Sequence, residues 1–284
     1  MREEPLQIAR GDGLLYGHRG GDGPPALLLH GGPAVPDYMA GCAAELDGVF
    51  STIRYTQRGT PPSTVGPPYS IESHMADALA VLDAQSVTRA WAIGHSWGGH
   101  FALHLLAAHP ERLLGVICIG TLGAHGEIFG EFGANLRRGL TPAQVSRLDE
   151  IEALRRKGAA TEPDLIERFD LIWPRFFADP ATSTPHPALH VGVQCSADTN
   201  ASLGSHFERG TLAAQLPGAR LPALFVHGLL DPLPVLASTA TAALIPGAHV
   251  ETIADCGHFP WLERPGELRR AVERFLPTTG SPAG

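Results

Sequence analysis

Short apolar runs bounded by glycine or proline recur along the chain, and segments with helical spacing separate them. The runs at 26–29, 52–55, 90–93, 115–119, 223–226 and 250–253 suit strands buried on both faces of a parallel sheet. Between them, 73–84 repeats Met75, Leu79 and Leu82 at helical spacing, with Ser73 as the expected N-cap. A second helix is predicted over 97–108, closed by His109-Pro110. A third over 267–276 carries Leu268, Val272 and Phe275 on one stripe. Strands alternating with helices predict an α/β protein with a parallel sheet.

The stretch 121–221 departs from this alternation. It offers no convincing strand, and 147–157 and 162–177 read as amphipathic helices, the second bearing Phe169, Trp173, Phe176 and Phe177. The segment 178–188 reads as a loop holding Pro180, Pro185 and Pro187. A long helical insertion between two strands resembles a lid. The expected organisation is therefore a core formed by 1–120 and 222–276, a helical lid over 121–221, and a flexible small-residue tail over 277–284.

Composition narrows the function classes. The net charge of −8 leaves no basic face for phosphates, so no nucleic-acid partner is expected. Cys42, Cys118, Cys195 and Cys256 lie too far apart for a disulfide scaffold or a C-x-x-C site. The N-terminus lacks an apolar run of signal-peptide type, and no apolar stretch is long enough to span a membrane. A cytoplasmic protein without a membrane partner is expected.

The strongest chemical signal is Gly94-His95-Ser96-Trp97-Gly98-Gly99, placed between a predicted strand and a predicted helix. That context pushes the Ser96 side chain out above the sheet on a sharp turn, with small residues where the backbone crowds. His30-Gly31-Gly32-Pro33 follows another strand and offers backbone N–H groups with no side chains in the way. Pro33 has no N–H, so Gly32 or Gly31 would join the Trp97 N–H in holding an oxyanion. Asp231 and His258 each follow a predicted strand end, and the order Ser, Asp, His is that of an α/β-hydrolase triad. Asp255, three residues before His258, is the rival acid. His100 and His104 stand four apart on a predicted helix, but no third ligand is evident, so no metal and no cofactor are expected.

These motifs together resemble an α/β-hydrolase of the proline iminopeptidase-like group. His30-Gly31-Gly32-Pro33 resembles that group's H-G-G-P-G loop, Gln57-Arg58-Gly59 its D-Q-R-G turn, and residues 94–99 its G-H-S-W-G-G. His227-Gly228, Asp231 and Gly257-His258 match as well, so the resemblance runs over essentially the whole chain. It implies a mostly parallel eight-stranded sheet flanked by helices, with a helical lid after the sixth strand. Three positions depart from the pattern: Ala34 replaces the glycine after Pro33, Thr56 stands at the aspartate of the D-Q-R-G turn, and Pro232 follows the triad acid where some peptidases carry an acid for the substrate amine. The triad is untouched by these changes, but aminopeptidase specificity is put in question.

The resulting expectation is a serine hydrolase cleaving an ester, lactone or amide of a small substrate through an acyl-enzyme. Ser96 attacks, Asp231 and His258 complete the triad, and Gly32 and Trp97 form the oxyanion hole. Trp173, Phe177 and Glu208 are candidate pocket residues, Glu208 as the candidate partner for an ammonium. The alternatives are an aminopeptidase and, more remotely, a lyase or ligand-binding protein on the same fold.

Overall fold

A computed structural model describes residues 2–186 and 190–276. The expected tail at 277–284 lies outside the described residues. Eight strands form one sheet: β1 (Glu3–Arg10), β2 (Gly13–Gly20), β3 (Pro25–Leu29), β4 (Ser51–Tyr55), β5 (Ala90–His95), β6 (Leu113–Ile119), β7 (Ala223–Gly228) and β8 (His249–Ile253). Their order is β1-β2-β4-β3-β5-β6-β7-β8. From β4 to β8 all neighbours are parallel, while β2 runs antiparallel to both β1 and β4. The helices are α1 (Ala40–Glu45), α2 (Ile71–Ala84), α3 (Trp97–Ala108), α4 (Phe129–Arg137), α5 (Pro142–Arg156), α6 (Glu162–Ile172), α7 (Val193–Glu208), α8 (Thr211–Gln215), α9 (Leu236–Ala242), α10 (Pro260–Glu263) and α11 (Glu267–Phe275).

The two-residue period of the strands divides the core into two layers. Leu27, Leu29, Ala92, Val116, Cys118 and Phe225 pack to one side with α2 and α3. Ala26, Leu28, Ile93, Ile117, Leu224 and Val226 pack to the other with α1 and α11. Both faces are buried, so the central strands read as unbroken apolar runs.

Strands β1 and β2 went unread in the sequence. They form the sheet edge with polar positions on the outside, and their hairpin turns at Gly11-Asp12, where Gly11 has a φ of 63°. That dipeptide between alternating runs is the signal that could have found them. Arg54 ties β1 down by pairing with Glu3 and Asp37.

Three helix boundaries also differ from expectation. The N-cap of α2 is Ser70 rather than Ser73, and its side chain accepts the Ser73 N–H at 3.3 Å. Helix α5 starts at Pro142, earlier than expected, because Thr141 and Gln144 form a reciprocal capping box. The helix expected over 162–177 is α6 followed by a 3-10 turn at Trp173–Phe176, since Pro174 cannot donate to the preceding turn. Among the described residues, 121–221 contains helices and turns but no strand.

Candidate active site

Ser96 occupies the turn between β5 and α3 with φ 57° and ψ −119°, a left-handed backbone that a serine rarely adopts. Its neighbours must be glycine for steric reasons. A Cβ on Gly94 would lie 2.0 Å from the Gly98 carbonyl oxygen, and one on Gly98 would lie 1.9 Å from that of Leu29. The Ser96 N–H donates to the Ile119 carbonyl at 2.9 Å, anchoring the turn to β6.

The loop after β3 faces this turn. Gly31 donates its N–H to the Tyr38 hydroxyl at 2.8 Å, so of the two glycines Gly32 is the one left to offer a donor. Gly32 is exposed and has a φ of 126°, which favours glycine. The Trp97 N–H belongs to the first turn of α3 and has no intrahelical acceptor. Gln57 fastens the two donors to each other: its side chain donates to the His30 carbonyl at 2.9 Å and accepts the Trp97 indole N–H at 2.9 Å. The Gln57 backbone N–H donates to His30 Nε2 at 3.0 Å, which leaves His30 Nδ1 to donate to the Gly31 carbonyl at 2.7 Å.

His258 follows β8, and its Nδ1 meets Asp231 Oδ2 at 2.6 Å. Asp231 also accepts the Leu233 N–H at 2.8 Å. Burial pushes the His258 imidazole well below its usual range, which keeps the ring neutral and Nε2 free of a proton. Burial raises Asp231, against the lowering effects of His227 and the Leu233 N–H. Asp255 is not the partner of His258: it is exposed and its carboxylate lies 3.4 Å from Arg264.

Ser96 and His258 line one cavity of about 110 Å³ together with Gly32, Tyr38 and Trp173. Helices α4 and α6 contribute Phe132, Leu136, Arg168 and Ile172 to its walls. A second cavity of about 390 Å³ shares Gly32, Leu136 and Arg168 with the first. Its lining holds four arginines, Arg137, Arg155, Arg156 and Arg168, against the single acid Glu152. Arg168 donates from Nε to Glu152 at 2.6 Å. Burial, with Arg155 nearby, lowers its proton affinity and Glu152 offsets part of that; a guanidinium nevertheless stays charged at neutral pH.

A family model described as the alpha/beta hydrolase fold matches residues 24–265. The chain belongs to that family. A 2-hydroxymuconate semialdehyde hydrolase of Pseudomonas putida is 30% identical over 272 residues, covering 91% of this chain and 89% of its own. The structure of Est816, described as an N-acyl homoserine lactone degrading enzyme, is 26% identical with a TM-score of 0.68, covering 95% of this chain and 100% of its own. A proline iminopeptidase of Mycobacterium smegmatis superposes with a TM-score of 0.70 over 97% of this chain and 98% of its own; at 23% identity it shares the fold.

Within this alpha/beta hydrolase, the sequence-predicted residues separate into groups. Ser96, His258 and Gly32 line one cavity, with Asp231 bonded to His258 and Trp97 beginning the helix beside Ser96. Trp173 lines the same cavity. Phe177 is buried one layer back, 5.8 Å from Trp173 and 5.3 Å from Phe259 between ring centroids. Glu208 is corrected: it is exposed at the C-terminal end of α7 and lines neither cavity. The hydrophobic face of α7 directs Leu203 inward and leaves Glu208 in solvent. His100 donates from Nδ1 to the Gly123 carbonyl at 2.7 Å and accepts from His104 Nε2 at 3.1 Å, so both of its ring nitrogens are engaged within the protein.

Arg168, Gln57 and Tyr38 are among the site residues that sequence reasoning missed. Gln57 had a signal in the Gln57-Arg58-Gly59 motif but no role. Arg168 had none, because which face of α6 turns inward depends on packing with α4 and α7.

Proposed function

We propose that this alpha/beta hydrolase cleaves an ester or lactone of a small substrate bearing an anionic group, through an acyl-enzyme on Ser96. The observation that carries the reading is the sharing of one cavity by Ser96, on its strained turn, and the Asp231-bonded His258. His258 Nε2 takes the Ser96 proton as the oxygen attacks the carbonyl carbon, while Asp231 steadies the imidazolium. The Gly32 and Trp97 N–H groups receive the negative charge on the carbonyl oxygen. His258 then returns the proton to the leaving oxygen, and water hydrolyses the acyl-enzyme by the same path. Residues 121–221 act as the lid, supplying the side of the cavity that selects the substrate. The similarity to Est816, described as a lactone-degrading enzyme, supports a lactone or ester as the scissile group.

The arginine-lined cavity favours an anion over an ammonium. An aminopeptidase would have to hold a cationic amine near the scissile bond, where burying it unpaired costs several kcal/mol. The cavity next to Ser96 supplies positive charge, Glu152 is taken up by Arg155 and Arg168, and Pro232 replaces the acid that could have served. The reading is tested by treating the protein with a fluorophosphonate. Covalent labelling at Ser96, with p-nitrophenyl esters turned over faster than amino-acyl anilides, is the expected result. Labelling elsewhere, or a strict free-amine requirement, would refute it.

A further inference from the structure

Two loops and the end of β5 converge behind the site, and one hydrogen-bond chain joins them. The Gly31 N–H donates to the Tyr38 hydroxyl at 2.8 Å. That hydroxyl meets His95 Nδ1 at 2.7 Å, and His95 Nε2 meets the His258 backbone carbonyl at 2.9 Å. The direction of every bond follows from the ends. A carbonyl oxygen only accepts, so His95 Nε2 carries the proton. In the neutral ring Nδ1 is then bare, and the Tyr38 hydroxyl donates to it while accepting from Gly31. His95 is fully buried, and burial together with the neighbouring His258 and His30 rings keeps it from taking a second proton.

We propose that Tyr38 and His95 are positioning residues for hydrolysis, coupling the geometry of the oxyanion loop to that of the His258 loop. The chain moves no proton in the reaction; it fixes distances. A Cβ on Gly31 would lie 2.2 Å from the Tyr38 hydroxyl and 2.9 Å from the Ser96 Cβ, so the hydroxyl packs against the same glycine as the nucleophile. With the Gly31 N–H held by Tyr38 and its carbonyl held by His30, the plane of the following peptide is set, and the Gly32 N–H with it. His95 directly precedes Ser96, so the same ring reports the nucleophile's position to His258. Neither residue needs to touch substrate polar atoms for this. The alternative is a bond that only satisfies a buried N–H, which would stabilise the fold without shaping the transition state.

The proposal rests on the hydrolase reading and is tested with Tyr38→Phe, which keeps the ring and removes the oxygen. Active sites are counted with the fluorophosphonate, and kcat is expressed per reactive serine. The expected result is a fall in kcat of about 10- to 100-fold with KM within about threefold. The affinity of a trifluoromethyl ketone, which forms a tetrahedral adduct on the serine, should fall by the same factor as kcat/KM. A lowered melting temperature with unchanged kcat per site would overturn the proposal, as would a rise in KM alone. The ¹⁵N spectrum of His95 in the native protein gives a measurement independent of turnover. A protonated Nε2 and a bare Nδ1 near pH 7 are expected, and a protonated Nδ1 would break the chain and overturn the proposal. Absence of labelling and turnover in the native protein refutes the hydrolase reading and this proposal with it; a fully active Tyr38→Phe refutes the proposal alone.

Discussion

Gly120 stands directly behind His258: a Cβ on this glycine would lie 2.8 Å from His258 Nδ1 and 3.0 Å from Asp231 Oδ2. Its φ of 49° adds backbone strain to any replacement. Gly120→Ala is therefore expected to push the His258–Asp231 pair apart and lower kcat at least tenfold, with about 1–3 kcal/mol of lost stability. Steady-state kinetics and urea unfolding of the variant check this. Unchanged kcat would mean that the pair has room to move.

Ser96→Ala should lower kcat by roughly 10⁴-fold or more, because the members of a triad act as a unit. The same substitution relieves a serine held in a left-handed conformation only if alanine fits it better, and alanine does not. Stability should therefore change little while activity and labelling disappear. Residual turnover near the native rate would remove Ser96 as the nucleophile.

Arg168→Met should discriminate between substrates by charge. It keeps the length and apolar stem of the side chain but loses the guanidinium that faces both cavities. For an anionic ester, kcat/KM is expected to fall about 100-fold, and for a neutral isostere less than about threefold. Equal losses on both substrates would assign Arg168 to packing with Glu152 instead.

Stability should decline on acidification. Burial holds His74 and His258 at about 3, His100 at about 4 and His104 at about 2, and lowers His30 and His95 as well. In the unfolded chain these histidines take a proton near 6.5. Below that pH the unfolded state binds more protons than the folded state, so stability is complete above about 6.5 and is lost as the pH falls toward the folded values. Each histidine that stays neutral contributes a slope of about 1.4 kcal/mol per pH unit. Asp231, raised by burial, acts in the opposite sense, as one group against six. Urea unfolding at a series of pH values between 7.5 and 5 tests this; a flat profile would contradict it.

How much of this was legible in the sequence depended on how locally each feature is determined. Ser96, Asp231 and His258 could be read because each sits just past an apolar strand, and Gly94 and Gly98 mark the crowding that the turn imposes. The reason for preferring Gly32 over Gly31 was not legible, since it depends on a tyrosine seven residues away folding back onto Gly31. Strands β1 and β2 escaped notice because an edge hairpin half in water lacks the unbroken apolar run of the central strands. Glu208 was misjudged and Arg168 overlooked for one reason: the rotation of a helix about its own axis is set by what it packs against. The end of α6 was a simpler omission, as Pro174 was in plain view.

The residues proposed for bond cleavage hang from strand ends and from the loop after β3, braced by the buried sheet. Arg168 and the three other arginines belong to α4, α5 and α6, which add nothing to that sheet. On the proposed reading, reactivity and substrate preference lie on separate stretches of polypeptide. A graft of 121–221 from another hydrolase could give this protein a new diet while its chemical engine stays as it is.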